Sequence, residues 1–106
     1  MSVVYEVTAV VEREFAEEWE RYMREQHIPD VLAAGWFTGA SLVRAQGGRY
    51  RIGYHADSPA ELDRYLTESA PALRAEFSAR YPGGVALTRE TWDLAQEWEA
   101  PGRSLG

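Results

Sequence analysis

The 106 residues contain no cysteine. That excludes a disulfide framework, thiolate nucleophiles, thiolate zinc sites and iron–sulfur clusters. Histidine occurs only twice, as His27 and His55. The two lie on separate elements with no His-x-Glu-x-His type of spacing, so no metal site is expected. No run approaches the roughly 18 apolar residues of a membrane span. The opening MSVVYEVTAVVERE has neither a basic stretch nor a long apolar run, so a secretory signal is not expected and the cytoplasm is the expected location. Bases are the minority charge: 11 Lys and Arg stand against 17 Asp and Glu, for a net charge of −6. No basic stripe marks a nucleic-acid partner. Gly47-Gly48 and Gly83-Gly84 look like turns, not phosphate loops, and there is no G-x-S-x-G elbow.

Aromatic residues are plentiful, with four Trp, six Tyr and three Phe. In one short domain they imply a well-filled core, an aromatic cavity or an interface. Residues 3–11 alternate as a strand, with Tyr5, Val7, Ala9 and Val11 on one face and Val4, Glu6, Thr8 and Val10 on the other. Residues 12–26 repeat Phe15, Trp19, Tyr22 and Met23 at helical spacing. Glu17–Arg21 and Glu20–Arg24 are spaced as i,i+4 pairs. Pro29 predicts a bend or stop near His27–Ile28, then a short helix from Asp30 to Ala34 closed by Gly35.

Residues 36–46 and 49–56 predict a hairpin turning at Gly47-Gly48. Pairing outward from the two glycines sets Arg44 opposite Arg51, Val43 opposite Ile52 and Leu42 opposite Gly53. Ser58-Pro59-Ala60-Glu61 is a capping box that opens a second helical region, 58–81. Its stripe is Leu62, Leu66, Ala70, Leu73, Phe77 and Tyr81, with a kink or break expected at Pro71. Residues 85–94 predict a fourth strand. A domain of 1–94 is therefore expected, followed by a loosely ordered tail, 95–106, with Trp98 as its one large apolar anchor.

The order β-α-β-β-α-β implies an α+β, ferredoxin-like fold. It is a four-stranded antiparallel sheet with two helices on one face. The covered face should take Val7, Ala9, Phe37, Val43, Ile52 and Tyr54. The open face should carry Glu6, Thr8, Trp36, Leu42, Arg44, Arg51 and His55. Trp36, Leu42 and Val10 there call for cover from a second copy.

The run Trp19…Met23…His27-Ile28-Pro29…Val31…Gly35…Phe37 resembles an uncharacterised family of short bacterial proteins sharing W-x-x-x-M-x-x-x-H-I-P-x-V-x-x-x-G-x-F. The resemblance continues through Tyr50, Tyr54, Tyr65-Leu66 and Ala70-Pro71-x-Leu73-Arg74. Ser69 and the fourth strand, including Arg89, depart from the pattern and receive no role. The resemblance implies a dimeric α+β barrel with no established activity; no cofactor is expected. The wider fold group includes cofactor-free oxygenases, isomerases and cyclases, but fold alone does not carry function.

Five residues stand out as ligand-binding candidates: Glu6, His27, Arg44, Arg51 and His55. His27 at a helix break suits a general base or a ligand contact; it equally suits a cap on the last carbonyls. Arg44 opposite Arg51 is an unfavourable like-charge pair unless an anion intervenes. That anion is Glu6, a partner's acid or a small organic ligand. Tyr50, Tyr54, Tyr65 and Trp19 sit on core stripes. Two functions follow. One is a homodimeric small-molecule-binding or accessory protein. The other is a cofactor-free enzyme acting on an aromatic or polyketide-like acid, with His27 or His55 as base and Arg44 or Arg51 as anion partner.

Overall fold

The computed structural model describes residues 1–102. Four strands form one antiparallel sheet: β1 (Val3–Val11), β2 (Gly39–Ala45), β3 (Arg49–Ala56) and β4 (Val85–Asp93), in the order β2-β3-β1-β4. Two helical arms cover one face. The first comprises a 3₁₀ turn (Arg13–Phe15), α1 (Ala16–Tyr22), a π turn (Met23–His27) and α2 (Ile28–Ala33). The second comprises α3 (Pro59–Arg64), a π turn (Tyr65–Ser69) and α4 (Ala70–Arg80). This is the ferredoxin-like arrangement that the element order predicts. Residues 94–100 form no helix or strand, and Trp98 is exposed. Residues 103–106 of the expected tail lie outside the described residues.

The core is aromatic. Trp19, Ile52, Val3 and Val31 are fully buried, and Trp19 packs on Tyr50 at 4.6 Å between ring centroids. β1 keeps the two faces its alternation predicts: Val3, Tyr5, Ala9 and Val11 are buried, whereas Val10 is exposed.

Neither proline breaks its arm. Ile28 keeps helical angles (φ −63°, ψ −45°), and its N–H bonds to the Met23 carbonyl five residues back. Ala70 does the same with Tyr65. Both π turns end two residues before a proline. The widened turn relieves the clash between the proline ring and the preceding carbonyls, so the arm continues where an α-helix would kink. His27 therefore sits inside a continuous arm and does not cap a helix end. Gly35 closes α2 as expected, with φ +89°.

The hairpin register differs from the expected one by one residue. Ala45 pairs with Arg49 across a three-residue link, 46–48, with Gly47 and Gly48 both at positive φ. Gly48 belongs to the turn because its carbonyl accepts the Val11 N–H at 2.8 Å. One residue of slip reverses every side chain of a strand. Arg44 thus opposes Tyr50, and Val43 opposes Arg51. Leu42 packs on the core, whereas Val43 is exposed. Arg44 reaches Glu20 on α1 at 2.5 Å, and Glu20 also holds Arg24 at 2.5 Å. The Arg44–Arg51 opposition does not exist. Trp36 also leaves the open face: it precedes β2, packs against the core and donates from Nε1 to Ser69 Oγ at 3.1 Å.

Candidate functional site

A cavity of about 280 Å³ lies between the second arm and the sheet. Its floor is Tyr5 and Val7 of β1, Ile52 and Tyr54 of β3, and Val85, Leu87 and Arg89 of β4. Its roof is Tyr65, Leu73, Arg74, Phe77 and Ser78 of the second arm, with Met23 and His27 from the first. Arg89 lies on β4, an edge strand, and Arg74 lines the space from α4.

The inner wall is built by stacking. Tyr5 lies parallel to Phe37 at 6.4 Å, and Tyr54 and Tyr65 approach it at 6.2 and 6.1 Å. Phe37 and Tyr65 close to 4.7 Å. Such ring pairs fix one another's orientation. The Tyr5 hydroxyl accepts a hydrogen bond from Arg74 Nη2 at 2.8 Å, which ties α4 to β1. Burial pushes the Tyr65 hydroxyl up to about 12 and raises that of Tyr54 as well. Both therefore remain protonated donors at neutral pH.

His27 is half-buried. Its ring meets Phe77 edge-on at 5.5 Å and lies 6.0 Å from Tyr22. Burial lowers its pKa below the ordinary histidine value; Asp30 and Glu76 oppose this, and Arg89 assists it. At neutral pH the imidazole is uncharged, so one ring nitrogen is a free base.

Charge is distributed unevenly. The chain carries a net −6, yet the cavity lining contains two arginines, one histidine and no Asp or Glu. Arg74 and Arg89 are exposed at this lining, and cations grouped without a carboxylate among them favour an anionic occupant.

The five sequence candidates fall into three places. His27 lines the cavity. Arg44 is committed to Glu20 beside a separate groove along β2. Glu6, Arg51 and His55 lie on the open sheet face, where Thr8 opposes Arg51, Gly53 opposes Glu6 and Val4 opposes His55. The cavity's other polar groups are Tyr5, Tyr54, Tyr65, Arg74, Ser78, Tyr81 and Arg89. Sequence alone gives Arg89 no role, because its strand departs from the family pattern. Its alternation was the available signal: Val85, Leu87 and Arg89 share one face, and Arg89 pairs with Val7 of the core face.

No curated protein matches the chain. The cofactor-independent oxygenase SnoaB from Streptomyces nogalater aligns at 15% identity over 91% of this chain and 95% of its own, with a TM-score of 0.66. The heme-degrader MhuD from Mycobacterium tuberculosis, solved with two hemes in its active site, aligns at 20% identity over 92% and 99%, with a TM-score of 0.67. At these identities the likeness is one of fold. Residues 2–94 match the family described as Domain of unknown function (DUF4286), and the chain belongs to that family.

Proposed function

We propose that this chain is a homodimeric small-molecule-binding domain whose cavity takes a planar organic anion of the aromatic-acid class. The observation that carries this is the convergence of Arg74, Arg89 and His27 on an aromatic cavity without a carboxylate. A ligand ring would lie against Tyr5, Tyr54 and Tyr65, with its acid group between the arginines at the β4 edge. The volume lies just below the usual range of small-ligand pockets, about 300–1,000 Å³. One or two fused rings suit it; a porphyrin macrocycle does not fit the cavity as shaped. Dimerisation would cover the open face, where Val10, Val43 and Trp92 are exposed.

Calorimetry or ligand-observed NMR with benzoate, salicylate and naphthoate tests the binding. Wild type should saturate with at least one of them. Arg89→Leu should bind about 10- to 100-fold more weakly, the worth of a charge-assisted bond. Leu73→Trp, which fills the cavity, should abolish binding. Absence of saturable binding to wild type overturns the reading.

A second reading, a cofactor-free enzyme, is favoured by the uncharged state of His27. A neutral imidazole facing an aromatic acid is placed to remove a proton. Turnover of a bound acid by wild type but not by His27→Gln would select it.

A further inference from the structure

The charge of the cavity bears on the protonation state of what it holds. Its lining offers a proton acceptor and two cations, and no group that repels a negative oxygen. Acids are the majority charge of this chain, yet those nearest His27 stay off the lining: Asp30 on the first arm and Glu76 on α4. From the sheet, Arg89 faces the imidazole; Tyr22 and Phe77 flank it. Arg74 makes one described hydrogen bond, to the Tyr5 hydroxyl. A guanidinium carries five N–H donors, so it can hold Tyr5 and a second oxygen together. The Tyr5 hydroxyl accepts from Arg74 and keeps its own proton to donate.

Building on the binding reading above, we infer that the cavity holds a phenol or enol as its conjugate base, with His27 taking the proton and Arg74, Arg89 and the Tyr5 hydroxyl holding the oxyanion. The ligand's O–H bond breaks and its electron pair stays on oxygen. The proton forms an N–H bond with the free ring nitrogen of His27. No oxidant or reductant is required. The product is an imidazolium–phenolate pair, and each charge stabilises the other at hydrogen-bonding range. A neutral cavity of the same shape would bind the protonated phenol.

The test uses the full chain and 4-nitrophenol, whose ionised form absorbs at longer wavelength. Binding is measured by NMR line broadening of the dye, independently of its colour. Ionisation is measured by the absorbance of the bound dye as a function of pH. The expected result is a bound dye that ionises about 1–3 pH units below the free dye, the effect of opposite charges within hydrogen-bonding range. Near neutral pH, dye addition should move the His27 ring resonances to imidazolium positions. Arg89→Leu and Arg74→Leu should each still bind the dye and return its ionisation most of the way to the free value. His27→Gln should bind the dye without the imidazolium signal. A wild-type protein that binds the dye with unchanged ionisation overturns this inference and leaves the binding reading standing. A bound phenolate beside an unprotonated His27 overturns the assignment of His27. No binding of either the dye or the aromatic acids overturns both readings.

Discussion

At the scale of single residues, His27 shows how one side chain can couple the fold to pH. Burial is the largest influence on its ring, ahead of Asp30 and Glu76, and the folded pKa lies below the ordinary value of about 6.5. The unfolded chain therefore binds a proton more readily than the folded one. Stability from the neutral ring is complete above about pH 6.5 and is lost as pH falls below it towards the folded value. Denaturant melts of wild type and His27→Phe, compared from pH 7.5 to 5, should show wild type losing more stability on acidification. His55 is common to both proteins and cancels in the difference. Parallel profiles would mean that the ring is not desolvated in the folded state. Arg44 makes a different point at the same scale. Its sequence neighbours give it strand alternation, but only the turn decides which face it serves. The long side chain spans to Glu20 and lowers the pKa of that carboxyl, first through the hydrogen bond and then through its charge. A solvated pair of this kind adds little to stability.

At the scale of elements, the start of the second arm is the clearest local signal. Ser58 is extended, Pro59 opens α3, and the Ser58 Oγ accepts the Glu61 N–H at 3.4 Å. The reciprocal bond of a capping box, from the Glu61 side chain to the Ser58 N–H, is absent among the described hydrogen bonds. Ser58→Ala should then cost about 0.5–1 kcal/mol, the lower part of the range for a lost N-cap. An unchanged urea midpoint would show the 3.4 Å contact to be without weight. Strand bounds and covered faces were legible wherever alternation or helical spacing runs unbroken, as in β1 and the Trp19–Met23 stripe. The hairpin was not, because Gly47-Gly48 is compatible with a two- or a three-residue link. The contact that decides it, Val11 with Gly48, is distant in sequence. The slip moves Arg44 and Leu42 off the open face and removes the expected Arg44–Arg51 opposition. The π turns were hidden for another reason. Proline announces disruption, but whether a helix breaks or widens depends on the packing that holds both ends. Here Val31 and Phe77, beyond the two prolines, are buried, so widening keeps both arms on the sheet. The cavity was only partly legible, since His27, Tyr65, Arg74 and Arg89 come from four elements that no local pattern joins.

At the scale of the molecule, the open sheet face has a charge layout suited to pairing with itself. Across the sheet one row runs Ser41, Gly53, Glu6, Glu90, and the next runs Val43, Arg51, Thr8, Thr88. Glu6 directly opposes Glu90, a like-charge cross-strand contact that is unfavourable unless a cation approaches. Arg49 and Arg51 lie on β3, and none of these four charges forms an ion pair among the described residues. Acids thus sit towards β4 and bases towards β2, with Val10, Val43 and Trp92 exposed between and around them. A two-fold axis lying in the plane between two such faces, and running along the strands, sets the acid half of one copy over the basic half of the other. Sedimentation should therefore find wild type dimeric at micromolar concentration. Glu6→Arg combined with Glu90→Arg makes the whole face basic. Arg49→Glu combined with Arg51→Glu makes it acidic. Each double variant alone should dissociate, with an affinity loss of about 100-fold or more, since juxtaposed like charges cost about 3 kcal/mol. Mixed in equal amounts, the two variants should recover a heterodimer, and the recovery should weaken with added salt. Circular dichroism should show both variants folded, because every changed side chain projects from the uncovered face. A monomeric wild type would remove the interface altogether. A dimer that survives both reversals would place the contact elsewhere on the molecule, with the groove lined by Leu32, Leu42 and Arg44 as the next surface to change.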